Sequence, residues 1–107
     1  RIFQYVADKA KGRPEGMRSS KWDDVQKDFV ALNPVCRWCG CKDRKKLQVH
    51  HKKPFHLFPG LELDFGNLIT LCIKCHFVID HLCFWKRFNP FVEEDCERHE
   101  EEMKKAA

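Results

Sequence analysis

Four of the seven cysteines fall into two CxxC pairs, Cys36 with Cys39 and Cys72 with Cys75. Four thiolates close a tetrahedral zinc site and leave no open position, so this pattern points to a structural Zn2+. The odd cysteine total argues against a complete set of disulfides and for a reducing compartment, hence a cytoplasmic location. Cys41, Cys83 and Cys96 read as small buried hydrophobes, with Cys41 close enough to the first pair to compete for the metal. Thirty-two residues separate Cys39 from Cys72, more than a simple zinc ribbon holds. A hairpin must be inserted between the knuckles, and it carries a second set of reactive groups: adjacent His50 and His51, then Asn67, with His76 directly after Cys75. Zinc that fastens the start of a helix beside the hairpin keeps His76 close to the strand pair.

The elements that must position these groups are legible from periodicity and turn chemistry. Trp22, Val25, Phe29 and Leu32 recur at helical spacing after Ser19-Ser20, with Ser20 as the expected cap and Asp23 in the first turn. Asn33-Pro34 ends that helix. Cys36-Arg37-Trp38-Cys39-Gly40 is a zinc-knuckle turn in which glycine supplies backbone freedom. Leu47–His51 reads as a strand, residues 52–66 as a long loop, and Asn67–Leu71 as a second, apolar strand. A buried helix is expected from Cys72 to about Phe88, stopped by Asn89-Pro90. A final helix from Phe91 to about Lys105 carries a sparse apolar stripe, Val92, Cys96 and Met103, and a glutamate-rich face expected to be solvated. The fold class is therefore α+β, with residues 1–18 as a basic flexible arm and 19–107 as a single domain. Successive strand side chains point to opposite faces, so two histidines aimed at one metal require a twisted strand end or a bulge.

Charge is unevenly spread. Residues 1–53 hold 14 Lys and Arg against 6 Asp and Glu, whereas residues 54–107 hold 6 against 10. A basic half suits a polyanion, because neutralising phosphates releases counterions. Arg18, Lys21, Lys52 and Lys53 are the leading candidates for DNA contact, followed by Lys45 and Lys46. Trp38 is expected to shield the zinc, and Trp22, Phe29, Phe77, Ile79, Trp85 and Phe88 to be core. His56 and His99 stand apart from the histidine constellation. No apolar run reaches the roughly 20 residues of a membrane span.

From about Arg18 to Asp95 the sequence resembles the HNH endonuclease family, particularly its compact zinc-knuckle members from bacteriophages. RSSKW, NPVCRWCG, LQVHHKKPFHLFPGLELDFGNLITLC, CHFVIDHL and WKRFNP carry the resemblance. It implies a ββα-metal fold with flanking helices and hydrolysis of DNA phosphodiesters by nicking or double-strand cutting, leaving a 5′-phosphate and a 3′-hydroxyl. His51 would be the general base, Asn67 the residue that fixes its orientation, and His50 and His76 ligands of a catalytic metal. The next ligand is Asp80 or His81: four residues shares an α-helical face, five needs a local distortion, and His81 is favoured because imidazole ligands are common in the family. Zn2+, Ni2+, Mn2+ or Mg2+ would suit such a site. DNA is the implied partner, in the host cytoplasm for a phage-encoded chain. A homodimer and membership of a larger phage or DNA-processing complex both stay open. A non-catalytic zinc-binding DNA or protein interaction module on the same scaffold is the rival function.

Overall fold

The computed structural model describes residues 17–84 and 86–106, so most of the basic arm and Trp85 lie outside the described residues. Helix α1 (Trp22–Leu32) forms where the apolar spacing predicts it and buries Val25 and Phe29, while Leu32 is exposed. Asn33 closes it, with its backbone and side-chain N–H groups both donating to the Phe29 carbonyl. Its N-terminus differs from expectation. Ser20 is exposed and Lys21 occupies the cap without a side-chain bond; Ser19 builds the turn instead, its Oγ accepting from Lys21 N–H at 3.1 Å. The reason is tertiary: Ser19 N–H donates to both carboxylate oxygens of the buried Glu62, at 3.0 and 3.2 Å.

The knuckle follows. Gly40 N–H donates to Cys36 O, and Gly40 adopts φ +78°, the left-handed conformation its side-chain-free backbone permits. Arg37 N–H donates to Thr70 O and ties the knuckle to the sheet. That sheet consists of β1 (Leu47–His51) and β2 (Leu68–Cys72), antiparallel and in continuous register from Leu47 opposite Cys72 to His51 opposite Leu68. The ladder is unbroken, so the expected bulge at His50-His51 is absent.

Two strands alone are marginal in water. Here both faces are covered and all five residues of β2 are buried. Ile69, Leu71 and Cys72 pack with Cys36, Cys75, Val92 and Cys96, while Leu68 and Val49 pack with Val25, Phe29 and Leu63. Cys41 lies partly buried against the first group.

After β2 the chain makes one α-helical turn, Ile73–Cys75, which widens directly into a π-helical segment, His76–Asp80; together these form α2. It stops well short of Phe88. Leu82 and Cys83 both take positive φ, 54° and 64°, and Asn89 Nδ2 donates to the Ile79 carbonyl that a continuing helix would use. Cys83 is consequently exposed rather than core.

Helix α3 (Val92–Ala106) buries Val92 and Cys96 but leaves Met103 exposed, so the apolar stripe ends after its second turn. Its acidic face is only partly solvated. Glu93 pairs with Arg37 at 3.2 Å and Lys52 at 3.0 Å, and Glu100 also pairs with Arg37. Among the described residues no helix is long and apolar enough to cross a membrane.

Candidate functional site

The sulfur atoms of Cys36, Cys39, Cys72 and Cys75 all lie within 4.8 Å of one another. Cys41 supports the group through its backbone, its carbonyl accepting from Cys36 N–H and its N–H donating to the Cys39 thiol, while its own thiol stands outside the group. Burial works to raise the Cys36 pKa, but backbone N–H groups including that of Cys39 outweigh it and hold the thiol down at about 7. Burial pushes the Cys39 and Cys75 thiols up, so it is the convergence of the four sulfurs that makes the set compatible with structural zinc. Trp38 packs against this cluster and stacks on His99 at 4.0 Å, as a shield would.

One turn onward lies a second donor set. A π-helix bonds residue i to i+5, and His81 N–H donates to His76 O at 3.1 Å. This geometry brings both contested ligand positions together: donor atoms of His76, Asp80 and His81 lie within 4.8 Å of one another. The Nε2 atoms of His76 and His81 are 2.8 Å apart. His81 Nδ1 lies 2.7 Å from Arg87 O, so its N–H donates there and its Nε2 lone pair faces His76. His50 reaches the cluster from the strand, its ring stacked on His76 with centroids 3.1 Å apart, while its Nε2 meets Gln48 Oε1 at 3.1 Å.

Burial depresses the basicity of His50 and His76. It takes His50 to about 2 and His76 to about 4, with neighbouring rings adding to the effect. Burial also raises Asp80 to about 6, against the opposing influence of His81. Asp80 is 3% exposed, and its Oδ1 has no hydrogen-bond partner. A buried carboxylate oxygen left without a partner beside converging imidazole nitrogens is a costly arrangement unless a cation joins them. The donor set therefore fits a divalent metal of borderline softness.

His51 projects from the opposite face of β1. Its ring stacks on Trp22 at 4.4 Å, and its Nε2 lies 2.8 Å from Glu62 O, which fixes the N–H there and leaves Nδ1 as the basic atom. Arg18 Nη1 stands 3.4 Å from that Nδ1, and its guanidinium lies over the Phe55 ring at 4.4 Å. Burial lowers the His51 pKa; the Glu62 carbonyl opposes this and Arg18 reinforces it.

Asn67 braces the loop that supplies Glu62. Its Oδ1 accepts from Lys53 N–H at 2.9 Å, and its Nδ2 donates to the carbonyls of Lys53 and Leu61 at 3.1 and 3.3 Å. A cavity of about 280 Å³ is lined by His50, His51, His76, Asp80 and His81 together with Arg18, Lys86 and Arg87.

Residues 36–82 match the family model of the HNH endonucleases. The match covers the knuckle, the hairpin and α2. No curated protein and no solved structure matches the chain. The matched segment has the expected mixed α and β composition, with the four-cysteine cluster at both ends of the hairpin.

Of the basic residues singled out from sequence, Arg18 lies in the histidine cavity, Lys52 is held by Glu93, and Lys53 sits over Phe58. Lys21 lines neither that cavity nor the zinc cluster, and Lys45 and Lys46 are exposed. Glu62 and the Arg87 carbonyl were missed by sequence reasoning. A backbone carbonyl carries no side-chain signature; Glu62, a charge between Leu61 and Leu63, offered a weak one.

Proposed function

We propose that residues 19–107 act as one metal-dependent endonuclease domain that hydrolyses DNA phosphodiesters. The observation that carries this reading is the shared cavity: His51, whose Nε2 meets the Glu62 carbonyl, and the donor residues His76, Asp80 and His81 line the same space. His76, Asp80 and His81 would hold the ion, with His50 beside them as a further donor. A divalent cation there supplies Lewis-acid stabilisation of charge on the phosphate and the leaving oxygen.

The chain's own residues account for the rest. His51 Nδ1 takes the proton of the attacking water as its oxygen bonds to phosphorus. The P–O3′ bond breaks with its electron pair leaving on O3′, which takes a proton from solvent water, giving a 5′-phosphate and a 3′-hydroxyl. The Glu62 carbonyl keeps the imidazole in the tautomer with Nδ1 unprotonated, and a depressed pKa keeps it ready to accept at neutral pH. Arg18 offers the phosphate a guanidinium beside the base. Asn67 is a positioning residue acting through the loop.

The test is relaxation of supercoiled plasmid with Mn2+, Mg2+, Ni2+ or EDTA, by the wild type and His51→Ala. Metal-dependent nicking that disappears in the variant is expected. Equal activity in both proteins refutes the assignment, and tight binding without cutting under every metal returns the domain to a non-catalytic interaction module.

A further inference from the structure

His50 and His76 line a second space as well as the first. A cleft of about 600 Å³ runs between α1 and β1, floored by Val30 and Val49. Lys27 and Arg44 stand in its lining with Gln26 and Gln48, and among the described residues no carboxylate lines it. Neither cation forms an ion pair among the described residues, whereas Lys52 and Arg37 are both engaged by Glu93.

We propose that this second cleft is a binding site for the DNA strand flanking the scissile phosphate, with Lys27 and Arg44 contacting its backbone. The proposal rests on the nuclease reading above and adds the path of the substrate. A space of about 280 Å³ lies at the lower edge of what encloses a small molecule. A polymer whose strand carries a phosphate every ~3.4 Å of axis must therefore leave it within a nucleotide or so. The cleft that shares two of its walls offers two uncommitted cations, two amides able to bond sugar or phosphate oxygens, and an apolar floor for the sugar face. Such a surface binds backbone without reading sequence.

The experiment compares the wild type, Lys27→Gln/Arg44→Gln, and a control of equal charge change, Lys104→Gln/Lys105→Gln. Binding of a roughly 30-base-pair duplex is measured without added divalent cation across 50 to 200 mM salt, the range in which phosphate contacts are read from the slope. Each lost contact makes the log–log salt slope shallower by about 0.9. The wild type should thus lose about tenfold more affinity over that range than the cleft variant, and the control should follow the wild type. Hydrolysis of bis(4-nitrophenyl) phosphate, which has no flanking strand, should be equal in all three. An unchanged slope in the cleft variant, or an equal change in the control, overturns the site and leaves the cleft to a protein partner. Absence of small-diester hydrolysis in the wild type with every metal would instead count against the nuclease reading, which keeps the two failures distinct.

Discussion

Asn67→Ala separates what the loop brace contributes to stability from what it contributes to reaction. The residue is 6% exposed, and its amide makes three bonds to backbone groups of Lys53 and Leu61. Lys53 is exposed and Leu61 half-buried, so water can reach most of the orphaned groups and each lost bond costs near the low end, about 1 kcal/mol. The sum, about 3 kcal/mol, is a substantial part of the ~5–15 kcal/mol that holds a typical domain together. For a domain of this size it corresponds to a fall in Tm of roughly 12–24 °C, read by circular dichroism in zinc-buffered solution. The kinetic effect arises at a distance. With residues 52–67 loosened, the Glu62 carbonyl no longer holds His51 Nε2 at 2.8 Å, and misplacement of the base by about 1 Å costs kcat around 10²-fold. KM should change little, because Asn67 lines no part of the histidine cavity. Asn67→Asp keeps the acceptor for Lys53 N–H but sets a carboxylate against two carbonyls, so it should be at least as damaging as alanine. Wild-type stability in Asn67→Asp would refute the donor half of this argument. A destabilised Asn67→Ala with unchanged kcat would refute the link to His51.

Three further outcomes follow from the same geometry. Cys39→Ser should lose its tightly held zinc and its cooperative unfolding, whereas Cys41→Ser should keep both; stoichiometric zinc in Cys39→Ser, assayed with a chromogenic chelator, would contradict the cluster. Asp80→Asn and His81→Ala should each weaken Mn2+ or Ni2+ binding to the zinc-loaded protein by at least the ~10–100-fold that loss of a supporting partner costs, measured by calorimetry; an unchanged Kd in either variant excludes that residue as a ligand. For Glu93, burial favours a higher pKa, but Lys52 and Arg37 outweigh it and lower it. Its contribution is therefore present above the ordinary glutamate value, about 4.3, and fades as pH falls through the depressed one. Glu93→Gln should flatten acid-side stability below about pH 4 by less than ~1 kcal/mol, and an unaltered acid limb would show the ion pairs to be inert.

The four-cysteine cluster could be read directly from sequence because its determinants are short and local: two exact spacings and one glycine. The hairpin followed: Leu47–His51 is the strand that periodicity gives, and the second strand, expected over Asn67–Leu71, lies one residue further on at Leu68–Cys72 because Asn67 closes the turn before it. What could not be read depended on partners distant in sequence. The choice of Ser19 over Ser20 at the start of α1 is made by Glu62, 43 residues away. The π-helical turn is invisible to a 3.6-residue periodicity, which is why positions 80 and 81 stood as alternatives when the fold brings both to His76. Exposure of Leu32 and Met103 marks the same limit: helical spacing says which residues share a face, not how far the neighbouring element extends along it.

The regular strand at His50-His51 bears most directly on how so small a domain assembles its site. If both imidazoles had to serve one ion, the ladder would have to break, and it does not. Alternation instead sends His50 toward α2, against the ring of His76, and His51 toward α1, between Trp22 and the Glu62 carbonyl. Two adjacent residues thereby enter different environments: one among buried imidazoles beside a carboxylate, the other held by a backbone acceptor beside a guanidinium. They meet again only because the cavity opens at the end of β1, where neither face is covered by a further strand. In the proposed reaction this divides labour between metal holding and proton transfer without any irregularity in the sheet. The irregularity falls on α2, where a π turn lets positions four and five residues beyond His76 converge on it. Widened turns recur at functional sites because regular α geometry cannot place such positions together. Cys72 and Cys75, flanking the first turn of α2, hold that helix beside the knuckle cysteines, so an ion bound by the four thiols would brace its distortion.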